Sequence, residues 1–223
     1  MRDSPFSDPP RAMLDRTAEE LCTAFGCAAA HQASWGRWSR LTDLRPGHPG
    51  FVLRRTAQGL GLDTQRWGIG GGGGRQPTTR IAGVSLPWWR RLAERPDQRC
   101  LIPVSACTAM RSAPLSDGRD GRSAWFALVD EPVFTLAGLW RGAGGARGFA
   151  MLGAPDDGAF PVMPVIVPAE ARERWLGAPW DVAAPLLAST VPATPWIVLS
   201  ETRTAFYEGG CPATTSLATM TGR

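Results

Sequence analysis

The amino-acid sequence predicts an α+β fold, and three observations support that class. Many short apolar segments, each bounded by glycine, proline or other turn residues, are typical of strands. A few equally short segments carry apolar residues at helical spacing. The strands and helices do not alternate regularly and no segment repeats, which argues against a wheel of βαβ units.

The helices are predicted from their capping residues. Thr17 is a candidate N-cap, Glu20 follows three residues later and Gly26 is a stop signal, so a helix is expected over residues 17–26. Further helices are expected over residues 86–95, 168–176 and 181–188. Asp181 is the expected cap of the last one.

The strands are predicted where β-branched and aromatic residues cluster between turn signals. They are expected over residues 50–55, 100–104, 124–129, 133–139, 149–152, 164–167 and 196–200. Residues 27–50 contain several breakers and are expected to be irregular. The run from Gly70 to Gly74 predicts a flexible loop, and Asp117 to Gly121 predicts a turn.

Length and composition place the chain among globular proteins. Hydrophobic residues make up 43% of the 223 residues and charged residues 20%. Residues 1–16 are expected to be a flexible N-terminal tail and residues 17–223 a single domain. No apolar run approaches the roughly 20 residues of a membrane span, and the first residues lack the apolar core of a signal peptide. A cytoplasmic protein without a membrane partner is therefore expected.

All 24 basic residues are arginines, and they concentrate in the first half of the chain. Residues 1–100 hold 15 arginines and nine acidic residues, whereas residues 101–223 hold nine arginines and 11 acidic residues. Guanidinium groups are planar forks that pair with phosphates or carboxylates. The distribution is consistent both with a modest basic face for a polyanion and with ordinary surface charge.

Several short motifs have a structural explanation that the sequence favours over a functional one. The glycine run satisfies a dinucleotide fingerprint, but no strand, turn and helix surround it. Cys22, Cys27 and His31 lack a fourth zinc ligand and a suitable spacing, so the five cysteines are expected to be reduced, mostly buried thiols. With only His31 and His48 in the chain, a hydrolytic triad is poorly supported. No cofactor and no metal are expected.

Tryptophan is unusually frequent, with ten residues against one tyrosine. Most are expected to be core residues, because one indole buries a large area. The segment Pro87–Leu92 alternates tryptophans with arginines, a combination that can stack on bases and hold phosphates. The alternative, which the sequence favours, is a helix that buries one tryptophan and exposes its arginines.

Short motifs along residues 17–203 resemble, in order, the scaffold of the SOS-response-associated peptidase (SRAP) family. Arg99–Pro103 is similar to the family's Arg-Cys-Leu-x-Pro, and Ala137–Trp140 to its Ala-Gly-Leu-Trp. Trp67 begins a matching Trp-Gly, and Arg80 matches the arginine of the family's Asn-Ala-Arg-x-Glu-Thr motif. The resemblance implies a small closed β-barrel or mixed sheet flanked by short helices. It also implies binding of single-stranded DNA in the DNA damage (SOS) response.

The resemblance also implies a mechanism for which this chain lacks the residues. In the family, a cysteine directly after the initiator methionine condenses with an abasic-site aldehyde, while an asparagine, a glutamate and a histidine orient the sugar and move protons. Here Arg2 replaces the cysteine, Thr78 the asparagine, Ala82 and Ala109 two glutamates, and Phe160 the histidine. A non-catalytic pseudoenzyme is therefore expected.

Three functions follow as hypotheses. The first is a pseudoenzyme that binds single-stranded or damaged DNA, with candidate contacts at Arg66, Arg75, Arg80 and Arg90. The second is an active SRAP-type crosslinking enzyme with another nucleophile, for which Cys107 is the first suspect, because it shares a strand face with Ala109. The third is a phage-derived fold relic that serves as a protein-interaction domain. Four tryptophans at scaffold positions are expected in the core: Trp67, Trp89, Trp140 and Trp175.

Overall fold

The computed structural model describes residues 10–29, 44–70, 76–109, 124–142, 147–153, 164–188, 196–200 and 203–207. These residues form two sheets and a few short helices, so the predicted α+β class is confirmed. The larger sheet is mixed and the smaller one is antiparallel.

Eight strands of the described residues form the larger sheet, and the labels run in chain order across both sheets. They are β2 (Ala28–Ala29), β3 (Pro49–Thr56), β4 (Gly59–Trp67), β5 (Arg80–Ala82), β6 (Arg99–Val104), β9 (Phe134–Arg141), β10 (Gly148–Gly153) and β11 (Ile166–Val167). The hairpin of β3 and β4 pairs from Pro49 and Arg66 to Thr56 and Gly59. β6 pairs with β9 along its whole length.

Strands β9 and β4 of this sheet each have neighbours on both edges. β9 pairs with β6 on one edge and with β10 on the other. β4 pairs with β3 on one edge, while β10 at Arg66 and Trp67 and β2 at Gly61 and Leu62 share the other. Gly148 permits the close approach of β10, because a Cβ there would collide with the backbone of Gly68.

The smaller sheet has five strands in the part of the chain that the structure describes. In spatial order they are β1 (Ala12–Met13), β7 (Ala106–Ala109), β8 (Ala124–Leu128), β12 (Trp196–Ser200) and β13 (Arg203–Tyr207). Ser105 alone separates β6 from β7, so one chain segment runs from the larger sheet into the smaller.

Within the described ranges, four α-helices flank the sheets. They are α1 (Ala18–Phe25), α2 (Pro87–Ala93), α3 (Arg172–Gly177) and α4 (Trp180–Ala183), with 3-10 turns at Pro96–Gln98, Ala169–Ala171 and Ala184–Ala188. The predicted limits of the first helix are confirmed by a Thr17–Glu20 capping box and a left-handed Gly26. The predicted cap at Asp181 is wrong, since Pro179 precedes α4 and no side chain caps it.

Hydrogen bonds in both directions link β6 to α3 in the core, and we call this set of bonds the Arg99 clamp. The buried Arg99 donates hydrogen bonds to the carbonyl oxygens of Ala93, Trp175 and Ala178, at 2.6, 3.0 and 2.8 Å. In return, the indole Nε1 of Trp175 donates to the carbonyl of Cys100 at 2.9 Å. These bonds satisfy carbonyls at the ends of two short helices, which have few internal partners of their own.

Two further expectations need correction. The predicted flexible tail does not reach residue 16, because Ala12 and Met13 pair with β7 and Leu14 is fully buried. Of the four tryptophans expected in the core, Trp67 and Trp175 are buried, but Trp89 and Trp140 are only half-buried. Trp140 lies near the end of β9, where the sheet no longer covers its whole ring.

Candidate functional site

The segment that resembles the family's Asn-Ala-Arg motif forms the end of one edge strand. Thr78 makes an isolated bridge with Ile69, with two backbone hydrogen bonds of 2.9 Å. Arg80 and Ala82 lie on β5, opposite Met151 and Gly153 of β10. Thr78 and Arg80 are half-buried and Ala82 is exposed. Neither Thr78 nor Ala82 carries a group that transfers protons near neutral pH.

The position expected to hold the family's glutamate lies in the other sheet. Ala109 is the last residue of β7 and pairs with Ala124 of β8. Cys107 is on the same strand, between Ala12 of β1 and Phe126 of β8, and is completely buried. Burial raises the pKa of the Cys107 thiol well above its usual range, which disfavours the thiolate a nucleophile needs.

Some predicted positions lie outside the described residues. They are Phe160, Arg75 and the glycines from Gly71 to Gly74, together with the turn from Asp117 to Gly121.

The structure does not bring the remaining candidate arginines together. Arg66 is opposite Gly148 and Arg80 is opposite Met151, three residues further along β10. Because side chains alternate along a strand, Arg66 and Arg80 project from opposite faces of the sheet. Arg66 is exposed and donates to the carbonyl of Gly47 at 2.9 Å.

The side chain of Arg90 contacts Glu94 and Trp180. Its Nε donates to Glu94 at 2.8 Å, and its guanidinium lies 4.9 Å from the ring centroid of Trp180. The pair with Glu94 lies within α2 and its C-cap, whereas the contact with Trp180 links α2 to α4.

A buried carboxylate, that of Asp63, lies between two arginines in the larger sheet. Oδ2 of Asp63 accepts hydrogen bonds from Arg54 at 3.1 Å and from Arg147 at 2.8 Å, and Oδ1 accepts from the backbone of Thr64. The Asp63 side chain is 3% exposed, whereas the arginines are 17% and 23% exposed. Three strands, β3, β4 and the start of β10, therefore meet at one ionic contact.

Two buried polar side chains beside this cluster lack a protein partner. The guanidinium of Arg54 lies 5.0 Å from the ring centroid of Trp140, whose buried Nε1 has no hydrogen-bond partner. Gln65 is on the same face of β4 as Asp63, and both polar atoms of its amide are buried without a partner. The sequence analysis missed this cluster. The segment has no clear strand signal, because the polar Asp63 and Gln65 occupy buried positions where a strand pattern requires apolar residues.

An exposed tryptophan between arginines lies at the start of α2. Trp88 is 48% exposed, and the guanidinium of Arg141, from the end of β9, lies 4.4 Å from its ring centroid. Arg91 is exposed three residues further along the helix, hence on the same side as Trp88. Leu86, directly before the helix, is 62% exposed. These four residues are called the Trp88 surface, and Arg141 is the member that the sequence analysis missed.

Within the described ranges, no three histidine, cysteine, aspartate or glutamate side chains converge on a possible metal position. None of the helices in those same ranges has the length and apolar character needed to span a bilayer.

Comparison with known proteins gives a fold without an activity. No family model and no curated protein matches the chain. A crystal structure from Bordetella bronchiseptica has a TM-score of 0.61 at 20% identity, covering 92% of this chain and 100% of its own. One from Bacteroides thetaiotaomicron has a TM-score of 0.64 at 15% identity, covering 86% and 92%. A phage-related protein of B. bronchiseptica has a TM-score of 0.56 at 19% identity, covering 88% and 92%. At these identities the likeness shows the fold alone.

Proposed function

We propose that the chain is a non-catalytic, SRAP-like module that binds single-stranded DNA. The Trp88 surface carries this proposal. An indole that is 48% exposed offers a face on which a base can stack, and Arg141 and Arg91 provide guanidinium groups for the flanking phosphates. Binding of single strands without sequence preference combines these two elements.

The strand pairings support the finer fold that the resemblance implies. Following neighbours from β9 to β6, β3, β4 and β10 leads back to β9, because β10 pairs with both β4 and β9. We infer that these five strands form the small closed barrel of a SRAP-like scaffold, with β2 completing the edge of β4.

The side chains at the positions that match the family's reactive residues support a module without covalent chemistry. Thr78, Ala82 and Ala109 cannot exchange protons near neutral pH, and the Cys107 thiol is buried with a raised pKa. We expect no denaturation-resistant adduct after incubation with abasic single-stranded DNA. An adduct that survives boiling and maps to Cys107 would establish the alternative, an active enzyme with a non-standard nucleophile.

Binding is tested by fluorescence anisotropy with a labelled thymidine oligonucleotide at two salt concentrations. Trp88→Ala should weaken binding by roughly 5- to 100-fold, the usual loss for one base stack. Arg141→Gln should weaken binding and lower the salt dependence by about one counterion. Arg95→Gln is the matched control, because it removes the same charge beyond the end of α2, from an exposed pair with Asp97.

The outcomes separate the proposal from its rivals. No binding by the parent protein at low salt would refute it, as would equal losses for Arg141→Gln and Arg95→Gln. Arg80→Gln distinguishes the Trp88 surface from the cleft that the resemblance implies. Lost affinity at an unchanged melting temperature would place the strand at Arg80 instead.

A protein-interaction module is the second candidate. Leu86, close to Trp88 in the sequence, is 62% exposed and offers apolar surface to a protein partner. Binding of a DNA strand does not require such a surface. The phage-related structural neighbour fits a phage origin for such a module. In that case Leu86→Ser would abolish capture of a protein partner, while the anisotropy of the oligonucleotide would stay unchanged.

A further inference from the structure

The end of α1 brings two thiols together. The N–H of Gly26 donates to the carbonyl of Thr23, and the N–H of Cys27 donates to the carbonyl of Cys22 at 3.0 Å. With Gly26 in the left-handed conformation, these bonds form a Schellman motif. The motif places the residue after the glycine against the residue three positions inside the helix end, here Cys27 against Cys22. Side-chain contact across this pair is the normal accompaniment of the motif, and two cysteines occupy it.

The two sulfur atoms are close enough to react after a small movement. The Sγ atoms of Cys22 and Cys27 are 3.6 Å apart, compared with about 2.05 Å in a disulfide. Rotation of the two side chains about χ1 would bring the sulfur atoms closer together. The backbone need not move, because the helix cap already holds the two residues side by side. Both side chains are half-buried, whereas Cys100 and Cys107 are fully buried. Among the described cysteines, this pair alone combines proximity with access for a small oxidant.

We propose that Cys22 and Cys27 form a reversible disulfide, with a low-molecular-weight disulfide as oxidant. The Cys22 sulfur attacks one sulfur of the oxidant, the S–S bond of the oxidant breaks, and one thiol leaves. The Cys27 sulfur then attacks Cys22 in the mixed disulfide and releases the second thiol. Two cysteine thiols are oxidised, one external disulfide is reduced to two thiols, and the two protons go to the departing sulfurs.

The direction of attack follows from the hydrogen bond between the pair. Cys27 donates its S–H to the Cys22 sulfur. Burial, followed by this bond, raises the pKa of Cys27 to about 12. Because Cys27 is the donor of this bond, we assign the first attack to Cys22, and the closing attack by Cys27 becomes faster as the pH rises.

The disulfide would fasten α1 to the edge of the larger sheet. Cys27 immediately precedes β2, whose two residues pair with Gly61 and Leu62 of β4. In the reduced state, the helix cap and this short pairing contribute to the connection, together with the packing of α1 on the core through Leu21. Oxidation adds a covalent link between Cys22 of α1 and Cys27, the residue before β2. The redox state of the Cys22–Cys27 pair then controls the thermal stability of the connection between α1 and β2.

The experiment uses the full chain with Cys211→Ser, which removes a thiol outside the described residues. After treatment with oxidised dithiothreitol or oxidised glutathione, free thiols are alkylated and the intact mass and peptide map are measured. We expect a species two hydrogen atoms lighter, with a Cys22–Cys27 crosslink and both other thiols free after denaturation. Oxidation should raise the melting temperature by about 5 °C, and dithiothreitol should reverse the shift.

Matched variants keep the test informative. Cys22→Ser and Cys27→Ser should each abolish both the mass loss and the temperature shift, whereas Cys107→Ala should retain both. A stable mixed disulfide on either cysteine, a crosslink to another cysteine, or free thiols after prolonged oxidation would overturn the proposal. Because the peptide map of the parent chain needs no substitution at the pair, a folding defect in a serine variant does not affect this result.

Discussion

Two regions of the larger sheet carry segments that resemble SRAP motifs, and their side chains behave differently. On β6 and β9 the motif residues are buried, apart from the half-buried Trp140. A Cβ on Gly138 would lie 2.9 Å from both the Cys100 sulfur and the Ile102 side chain, so the motif glycine is required by packing. On β5, an edge strand within the described residues, Thr78 and Arg80 are half-buried and Ala82 is exposed.

The two kinds of motif report on different properties, the packing of the scaffold on β6 and β9 and the side chains of an edge strand on β5. The β6 and β9 segments are explained by close packing and by the Arg99 clamp, which operate whether or not the protein catalyses a reaction. The β5 segment has few such constraints, so its side chains can change without loss of the fold. The resemblance of the first set therefore reflects packing of the scaffold and carries no information about chemistry.

The strongest test of this contrast is a pair of tryptophan substitutions. Trp175 is fully buried and bonded to Cys100, so Trp175→Ala should lower the free energy of unfolding by about 3–5 kcal/mol. Trp140 is half-buried and its Nε1 has no partner, so Trp140→Ala should cost only about 1–2 kcal/mol. Urea denaturation followed by far-UV circular dichroism measures both. Equal losses would show that Trp140 belongs to the core after all.

The second test removes the Arg99 clamp. Arg99→Met leaves the carbonyls of Ala93, Trp175 and Ala178 without their donor, and we expect a loss of about 3 kcal/mol. Burial lowers the pKa of the Arg99 guanidinium, which shows that burying its charge has a cost of its own. Methionine removes that cost, so a variant as stable as the parent would mean that the cost cancels the three hydrogen bonds.

Local signals explain what the sequence predicted correctly. The limits of α1 depend on Thr17, Glu20 and Gly26, which act within one or two turns and need no tertiary context. By contrast, β4 was missed, because Asp63 and Gln65 occupy buried positions where a strand pattern requires apolar residues. Their burial is explained only by Arg54 and Arg147, which come from β3 and from the start of β10.

The candidate site was less accessible to sequence reasoning than the fold. A resemblance assigns positions such as Ala82 and Ala109, but only strand pairing shows that they lie in different sheets. Likewise, Trp88 and Arg141 are 53 positions apart in the sequence, and the fold alone places the guanidinium over the ring. Contacts of this kind depend on the packing of α2 against the end of β9, which no local pattern encodes.

The third test addresses the polar part of the same sheet. Asp63→Asn removes the charge that holds Arg54 and Arg147, and we expect a loss of about 2 kcal/mol. The loss is smaller than for a fully buried pair, because both arginines are partly exposed and regain water. Asp97→Asn, which breaks an exposed pair with Arg95, is the control and should change stability far less. If both variants melt alike, the cluster contributes no more than a surface ion pair.

The smallest expected effect concerns Arg90, which lies on the same helix as the Trp88 surface but on its opposite flank. Its guanidinium pairs with Glu94, with both side chains nearly half exposed, and contacts Trp180. Arg90→Gln should therefore cost less than about 1 kcal/mol of stability, the sum of one exposed helix pair and one exposed cation–π contact. DNA affinity should remain at the parent's level, whereas Arg141→Gln, with the same loss of charge, should lower it. Anisotropy and melting curves of the two variants, measured side by side, decide the matter. If Arg90→Gln lowers affinity as much as Arg141→Gln does, binding follows the total charge of α2 and its surroundings, and Trp88 has no special role.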